Sequence, residues 1–252
     1  MIKIRNSNDA AEIYITGDIV DDVDGDMIRY WLDDDVDGYQ WPADIRRQFD
    51  AIDDNQEVRI YINSNGGSVP AGVAIANMIA RHKGHTVAVV DGWCCSIATQ
   101  IFFAADERRI SSNAYLMIHK PWVCACGDAN DLMKTVNALN TIQEGIETTY
   151  RKAALDSVTD EQIHQMVEDE TWLTGDQAAE YFDINVEEET KAVACAGRSF
   201  NRIGNIPNGI RIEQNKETAL KSVRYPAGKP ADKENHRKRT ALALAILEGE
   251  TL

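Results

Sequence analysis

The sequence predicts an α/β protein built as a layered spiral of short strand and helix units. Two apolar, β-branched segments at residues 58–62 and 86–90 have the length and composition of buried strands. Each is followed by a glycine-containing turn and then by an apolar helical pattern. Because strands that alternate with helices pair in parallel, and because these crossovers are short, we predict a spiral rather than a plain doubly wound sheet.

The composition is that of a globular protein with an acidic surface. The 252 residues, 44% of them hydrophobic and 27% charged, are enough to bury one sizeable core. A formal net charge of −15 disfavours nucleic acid and anionic membranes as main partners. The N-terminus lacks a signal-peptide pattern, and no stretch approaches the roughly 18 apolar residues of a membrane span. We therefore expect a cytoplasmic protein with reduced cysteines.

An acidic segment separates the first predicted strand, at residues 12–16, from a helix that starts near Pro42. Part of this segment has the spacing of oxygen ligands in a calcium loop. The residues with that spacing are Asp33, Asp35, Asp37, Gly38 and, at the closing position, Asp44. Because Pro42 interrupts the loop and aspartate replaces the usual closing glutamate, we predict a solvated acidic loop over residues 18–38 instead.

A long helical pattern spans residues 128–154, with apolar side chains every three or four residues. These side chains are Leu132, Val136, Leu139, Ile142, Ile146 and Tyr150. At about 25 residues, the helix would be longer than one globular domain normally needs. We therefore predict that it projects from the core and packs on a neighbouring subunit.

The remaining elements are short, and they end before a change in composition. We predict helices at residues 69–80, 160–167 and 174–181, and strands at residues 109–110 and 115–119. Residues 1–190 are thus predicted to form the folded domain. Residues 191–252 have the charged composition of a partly disordered C-terminal appendage.

Ser96 is the first candidate for chemistry, because it lies where a strand is predicted to turn into a helix. Such a turn, opened by Gly92, places a hydroxyl at the positive end of a helix beside free backbone N–H groups. A serine at a helix start is nevertheless most often a simple N-cap. The rest of the chain must therefore supply the partners of a nucleophile.

A hydroxyl nucleophile needs a base, a group that orients the base and N–H donors for the oxyanion. His119 lies at the end of an apolar strand, although a histidine there can also be structural. Acids that could orient it occur at residues 168–170, and the Gly66-Gly67 turn and the N–H of Ile97 offer donors. These residues together indicate a hydrolase.

Four segments resemble one known family in their order and spacing. They are Ile62-Asn63-Ser64-Asn65-Gly66-Gly67, the pair Ala71-Gly72, residues 92–96, and Met117-Ile118-His119-Lys120-Pro121. Over residues 12–188 the chain resembles the Clp protease proteolytic subunit (ClpP-like serine peptidase) family. Residues 170–181 also resemble the aspartate-containing segment of that family and the helix that follows it.

The resemblance implies a role for each candidate residue. Ser96 would be the nucleophile and His119 the general base. The N–H groups of Gly67 and Ile97 would form the oxyanion hole, with Gly66 in support. The aspartate of the family falls on Glu170 here, with Asp169 as the alternative acid.

Within the family, the chain is most similar to phage-encoded head maturation (prohead) proteases. Trp122 and residues 127–132 and 170–172 carry this closer similarity. It implies scaffold or capsid proteins as polypeptide substrates and partners, in the host cytoplasm. The family also implies ring-forming homo-oligomers with the long helix between rings, on a spiral fold shared with crotonase-like enzymes. No cofactor is expected, and since there is no phosphate-binding loop, an AAA+ unfoldase would be a separate partner that nothing here indicates.

Two other classes of function stay open from the sequence alone. A catalytically silent assembly or scaffold protein could keep the fold, and the substituted acid at Glu170 motivates that reading. A crotonase-like enzyme acting on acyl-CoA thioesters would need only the glycine-turn N–H groups, so the presence of both Ser96 and His119 argues against it.

The cysteines offer weaker alternatives. Cys94 and Cys95 stand before Ser96, where we predict small packing residues, with Cys95 as a less favoured nucleophile. Cys124 and Cys126 could suggest a metal, but a tetrahedral site needs two further ligands. We therefore expect no metal site.

Overall fold

An eight-stranded sheet organises the computed structural model, which describes residues 10–32, 36 and 38–188. The strands are β1 (Ala10–Ile19), β2 (Tyr39–Gln40), β3 (Glu57–Gly67), β4 (Thr86–Cys95), β5 (Glu107–Ser111), β6 (Tyr115–Ile118), β7 (Thr171–Thr174) and β8 (Asn185–Glu187). The main path of the sheet runs β2-β1-β3-β4-β5-β8, and all of its pairs are parallel. The α/β fold predicted from the sequence is confirmed.

The two halves of strand β4 pair with different strands, and this change of partner gives the sheet its spiral form. Its first half pairs with β5, through Val87–Val90, whereas its second half pairs with β6, through Trp93–Cys95. Strand β7 then adds to β6 as the one antiparallel pair among the described strands. The end of β4 is therefore directed away from the main path, toward β6 and β7.

The helices are α1 (Asp22–Leu32), α2 (Pro42–Asp50), α3 (Val69–Arg81), α4 (Ala98–Phe103), α5 (Ala129–Ala153), α6 (Asp160–Glu168) and α7 (Gly175–Ala178). Every residue of α4 is buried, because this helix is apolar on nearly all sides and lies between the sheet, α3 and α5. The core continues from the isoleucines of β1 and β3 through α4 to the C-terminal end of α5. None of the described helices is long and apolar enough to cross a membrane.

The prediction of a solvated acidic loop over residues 18–38 is wrong, because much of this segment forms α1. Asp21 Oδ1 accepts hydrogen bonds from the N–H groups of Val23 and Asp24, both at 2.9 Å, as a helix-capping carboxylate does. Aspartates in the first turn also complement the helix dipole, so acidity favours the helix here.

The calcium alternative falls partly outside the described residues, since Asp33, Asp35 and Asp37 are not among them. Asp44 is buried on α2, where Arg47 donates to it at 2.6 Å and Gln48 at 3.2 Å. Its carboxylate is therefore used within its own helix.

Residues cluster into two units, and the appendage predicted at residues 191–252 lies outside the described part of either. The first unit contains all eight strands and the helices from α2 onward. In the second unit the described residues are 26–32 and 36, which include the end of α1. There, the rings of Tyr30 and Trp31 meet edge to face at 5.5 Å.

Two strands run further than their sequence suggests. The sequence predicts a turn at residues 63–68, but residues 63–67 continue β3, pairing with β1 as far as Gly67 opposite Ile19. Strand β4 likewise continues through Gly92 to Cys95. Both extensions end beside the segment that holds Ser96. The long helix is confirmed as α5, whose 25 residues begin after the capping carboxylate of Asp128.

Candidate active site

Ser96 lies in a sharp turn between the end of β4 and the start of α4. Its φ of 55° is in the left-handed region, which a residue with a side chain enters only under constraint. The N-cap of α4 is Ile97, and no side chain caps that helix, so the N-cap interpretation of Ser96 is wrong. The hydroxyl is therefore available for another partner.

His119 supplies that partner. Strand β6 pairs with β4 through Cys95 and Met117, and the Ser96 N–H donates to the carbonyl of Met117 at 2.9 Å. His119 follows β6 directly, and its Nε2 lies 2.8 Å from Ser96 Oγ. Burial lowers the pKa of His119, while the charge of Glu170 acts in the opposite direction. The net lowering favours a neutral imidazole, which can accept the hydroxyl proton.

Of the two candidate acids, Glu170 is the one whose charge acts on His119. Strand β7 pairs antiparallel with β6 through Ile118 and Thr171, so the next register positions are His119 and Glu170. Glu170 has a φ of 52° and is partly buried, whereas Asp169 is exposed at the end of α6. Its position and its electrostatic effect both favour Glu170.

Strand β3 ends at Gly66 and Gly67, here called the glycine turn, and Gly66 lies directly against Ser96. A Cβ placed on Gly66 would be 2.7 Å from Ser96 Cβ and 3.1 Å from the nitrogen of Ile97. Gly66 has a φ of +91° and Gly67 a φ of +146°, both favourable only to glycine. The Gly66 N–H donates to Ser64 Oγ at 3.1 Å, so this N–H is already used within β3. Gly66 thus acts by allowing close approach.

A cleft opens beside the Ser96–His119 pair. Besides these two residues, its lining comprises Val69, Ile97, Gln100, Pro121, Ile146 and Tyr150. Val69 begins α3, Gln100 lies on α4, and Ile146 and Tyr150 come from the buried end of α5. The long helix therefore contributes one side of the cleft, a role that its sequence pattern did not reveal.

A family model for Clp protease matches residues 47–184, more than half of the chain and all of the site described above. The chain belongs to the Clp protease family. Among curated proteins, it is similar to an ATP-dependent Clp protease proteolytic subunit of Bacteroides thetaiotaomicron, with 29% identity over 135 residues. That alignment covers 52% of this chain and 60% of the relative.

Another curated protein and a solved structure are also similar to this chain. A proteolytic subunit from Bacteroides fragilis is 26% identical over 134 residues, covering 52% of this chain and 64% of the relative. The chain therefore spans about three fifths of the length of the curated relatives that it matches. A solved structure of a ClpP1 mutant from Listeria monocytogenes superposes with a TM-score of 0.55 at 23% identity, over 72% of this chain and 93% of that one. This likeness establishes the Clp protease fold.

Cys94 and Cys95 are packing residues in this Clp protease fold, as predicted. Both are fully buried, and burial raises the pKa of each thiol, which disfavours the thiolate that a cysteine nucleophile requires. Cys124 and Cys126 are exposed. Within the described residues, no group of three or more potential metal ligands comes together.

Sequence reasoning missed Gln100 as a lining residue of the cleft. It is buried in α4 among apolar residues, from Ile97 to Phe103. Buried polar side chains in apolar helices generally have a specific hydrogen-bonding role, and that signal was present in the sequence.

Proposed function

We propose that this member of the Clp protease family is a serine endopeptidase with Ser96 as nucleophile and His119 as general base. The observation that carries the proposal is the 2.8 Å contact between Ser96 Oγ and His119 Nε2, at a strained strand-to-helix turn. Glycine-turn N–H groups and a lined cleft adjoin the same hydroxyl. A crotonase-like or silent scaffold protein would not require this contact.

Cleavage proceeds in two acyl transfers. As Ser96 Oγ bonds to the peptide carbonyl carbon, its proton passes to His119 Nε2, and the carbonyl oxygen becomes an oxyanion. The carbon–nitrogen bond then breaks and the imidazolium gives its proton to the leaving amine. Water attacks the acyl-enzyme, loses a proton to His119, and the carbon–Oγ bond breaks as Oγ takes that proton back.

Gly67 and Ile97 N–H groups stabilise the oxyanion in both steps. Glu170 stabilises the imidazolium that forms in each step, because its negative charge already opposes the lowering of the His119 pKa. An extra methylene distinguishes glutamate from the aspartate of the family, and Glu170 has a positive φ of 52°. Asp169 is the alternative acid.

Ring-shaped homo-oligomers are the assembly that we propose, with α5 between rings. The N-terminal half of α5 and the segment before it carry a series of exposed apolar side chains. They are Trp122, Val123, Leu132, Met133, Val136 and Ile142. A concentration of exposed apolar side chains along one segment is typical of a protein interface. In the C-terminal half, one face with Ile146 and Tyr150 is buried in the chain's own core.

Capsid or scaffold polypeptides are the proposed substrates. The support is the similarity of Trp122 and of residues 127–132 and 170–172 to phage head maturation proteases. The relatives described above are bacterial proteolytic subunits, so this choice of substrate rests on those segments alone. Incubation of the purified assembly with a phage capsid precursor, followed by mass spectrometry of the products, tests it.

The catalytic proposal is tested by labelling and cleavage. A fluorophosphonate probe should label Ser96 in the wild type, and the Ser96→Ala protein should lose both labelling and peptidase activity. The matched control is Ser157→Ala, which removes an exposed hydroxyl from a turn and should leave both unchanged. Peptidase activity that survives in the Ser96→Ala protein would overturn the assignment.

A further inference from the structure

The peptide unit between Ser96 and Ile97 joins the nucleophile to a proposed oxyanion donor. Its N–H belongs to Ile97, which is buried, and no group among the described residues accepts a hydrogen bond from it. Its carbonyl belongs to Ser96, and this oxygen accepts from the Thr99 N–H at 3.0 Å and from Thr99 Oγ1 at 2.6 Å. The carbonyl of this peptide unit is therefore held on one side, and the N–H is left for a ligand on the other.

A peptide unit is planar and rigid, so the direction of its carbonyl fixes the direction of its N–H. The bond between Ser96 and Ile97 is trans, and the two groups therefore point in opposite directions. The nitrogen of Ile97 lies only 3.1 Å from the position that a Cβ on Gly66 would take, which places it beside the glycine turn. The hydrogen bonds from Thr99 to the Ser96 carbonyl consequently orient the Ile97 N–H without touching it.

Tyr150 extends this hydrogen bonding to α5. Its hydroxyl oxygen lies 2.6 Å from Thr99 Oγ1, and both residues are buried. Thr99 uses its only hydroxyl hydrogen on the Ser96 carbonyl, so the Tyr150 O–H is the donor and Thr99 Oγ1 the acceptor. Each hydrogen bond in such a series polarises the next, which strengthens the bond to the carbonyl.

A threonine hydroxyl that bonds an earlier carbonyl is common in helices, but two features distinguish Thr99. Its carbonyl partner belongs to a residue with a φ of 55°, where the backbone needs support from its surroundings. The second hydroxyl, that of Tyr150, comes from a different helix, and its ring is packed against Phe103 at 5.8 Å and Phe182 at 6.3 Å. A purely local helix bond would require neither feature.

Building on the proposed peptidase function, we propose that Thr99 and Tyr150 are positioning residues for the oxyanion hole. Thr99 holds the peptide unit so that the Ile97 N–H faces the oxyanion, and Tyr150 holds the hydroxyl of Thr99. Both residues act through the peptide unit and not on the scissile bond. A misdirected N–H would weaken an interaction that stabilises chiefly the transition state, so the loss should appear in kcat and not in KM.

The first test removes the hydroxyl of Thr99. In Thr99→Val, which keeps the shape of the side chain, we expect kcat to fall by about 10- to 100-fold with KM nearly unchanged. The loss should be smaller than that of a whole oxyanion donor, because the Thr99 N–H still bonds the carbonyl. Thr99→Ser, which keeps the hydroxyl, should restore most of kcat.

Thr148→Val is the matched control for that test. Thr148 is exposed, and its hydroxyl bonds the carbonyl of Glu144 at 2.8 Å within α5. The variant therefore removes a similar helix hydrogen bond away from Ser96, and kcat and KM should both stay as in the wild type.

The second test separates activity from stability in the double variant Thr99→Val/Tyr150→Phe. Thr99→Val alone leaves the buried Tyr150 O–H without Thr99 as its acceptor, so the midpoint of thermal unfolding should fall. Removing the Tyr150 hydroxyl as well replaces both partners by apolar groups, and the midpoint should recover. Because Tyr150 acts through Thr99, kcat should stay as low as in Thr99→Val. A merely structural pair would regain activity together with stability.

The outcomes separate this inference from the peptidase itself. Wild-type kcat in Thr99→Val or in the double variant overturns the positioning role, while fluorophosphonate labelling of wild-type Ser96 still upholds the peptidase. If Thr99→Val does not fold, the double variant decides, because it lacks the unpaired hydroxyl. Unchanged kcat in Tyr150→Phe overturns the part assigned to Tyr150. Absence of both labelling and cleavage in the wild type overturns the peptidase and this inference with it.

Discussion

Ser96 and Glu170 are the two non-glycine residues with positive φ in the described part of the chain, and they are held very differently. The Ser96 turn is fixed by its N–H bond to Met117, by two bonds to its carbonyl from Thr99, and by fully buried neighbours. The Glu170 turn follows the exposed Asp169, and the Glu170 N–H reaches the carbonyl of Val167 only at 3.4 Å.

This difference shows which part of the site is preset. Strained backbone persists where its surroundings determine it, and at Ser96 these surroundings are short hydrogen bonds and fully buried neighbours, whereas Glu170 is only partly buried. A salt bridge from Lys120 to Glu168 at 2.6 Å joins the segment after His119 to the segment before Glu170. Both side chains are partly exposed, so this salt bridge contributes little to stability. We infer that the position of the nucleophile is rigid, whereas the acid can differ in length within the same fold.

The largest effect is expected from a change that breaks the rigid turn. In Gly66→Ala, the new Cβ would lie 2.7 Å from both Ser96 Cβ and the carbonyl oxygen of Cys95, at a φ that disfavours side chains. We expect a loss of at least about 100-fold in kcat/KM and of about 2–5 kcal/mol in the free energy of unfolding. Peptide kinetics and denaturant titration measure the two.

Gly145→Ala is the matched control for that experiment. Gly145 lies in α5, and a Cβ there would meet no atom within 4 Å. The alanine should raise the free energy of unfolding by up to about 1 kcal/mol through helix propensity. A Gly66→Ala protein that is as active and stable as this control would contradict the close packing of the glycine turn on Ser96.

The rigid turn was also the part of the site that the sequence predicted best. The strands around it are apolar and regular, and the motifs at Gly66-Gly67, Ser96 and His119 have a fixed order. The extension of β3 and β4 through their glycines was not predictable locally, because glycine usually ends a strand. Pairing with β1 and β6 outweighs that preference.

The structures of the acidic segment and of the Glu170 turn could not be predicted from the sequence. A run of aspartates suggests a loop, and only the capping geometry at Asp21 shows why α1 forms. Glutamate has no preference for positive φ, so nothing in the sequence marks the turn at Glu170. Its conformation depends on the register between β6 and β7, which is a tertiary property.

The second-largest effect distinguishes the two acids. Glu170→Gln removes the charge that raises the pKa of His119, so we expect kcat/KM to fall by about 10- to 1,000-fold. This decrease is no larger than the one caused by neutralising the acid of a tightly hydrogen-bonded triad. Asp169→Asn, the matched neutralisation of an exposed neighbour, should change kcat/KM by less than about threefold. The opposite ranking would assign the orienting role to Asp169.

The pH dependence of the wild type gives a further, smaller effect. Because burial lowers the pKa of His119, kcat/KM should rise with pH along an acid limb whose midpoint is below the ordinary histidine value of 6.5. The unfolded state binds the proton more tightly, so His119 contributes a stability that is lost as pH falls from 6.5 through the folded pKa.

The same acid limb tests the role of Glu170 through a readout that a structural role would not move. Without its charge the imidazolium loses stabilisation, so in Glu170→Gln the midpoint should move to lower pH than in the wild type. In Asp169→Asn it should stay in place. A midpoint above 6.5 in the wild type would show that the charge of Glu170 outweighs burial.

The smallest effect compares the two strained turns directly. Ser96→Gly and Ser96→Ala both remove the hydroxyl, but only glycine relieves the positive φ, so the glycine variant should be more stable by about 1 kcal/mol. The corresponding difference between Glu170→Gly and Glu170→Ala should be smaller. Glu170 is only partly buried and its N–H bond to the carbonyl of Val167 is long, so this turn can relax when alanine replaces glutamate. Thermal unfolding of the four variants measures both differences. Equal stability differences at residues 96 and 170 would mean that the acid is held as rigidly as the nucleophile. The presence of glutamate in place of the aspartate of the family would then need another explanation.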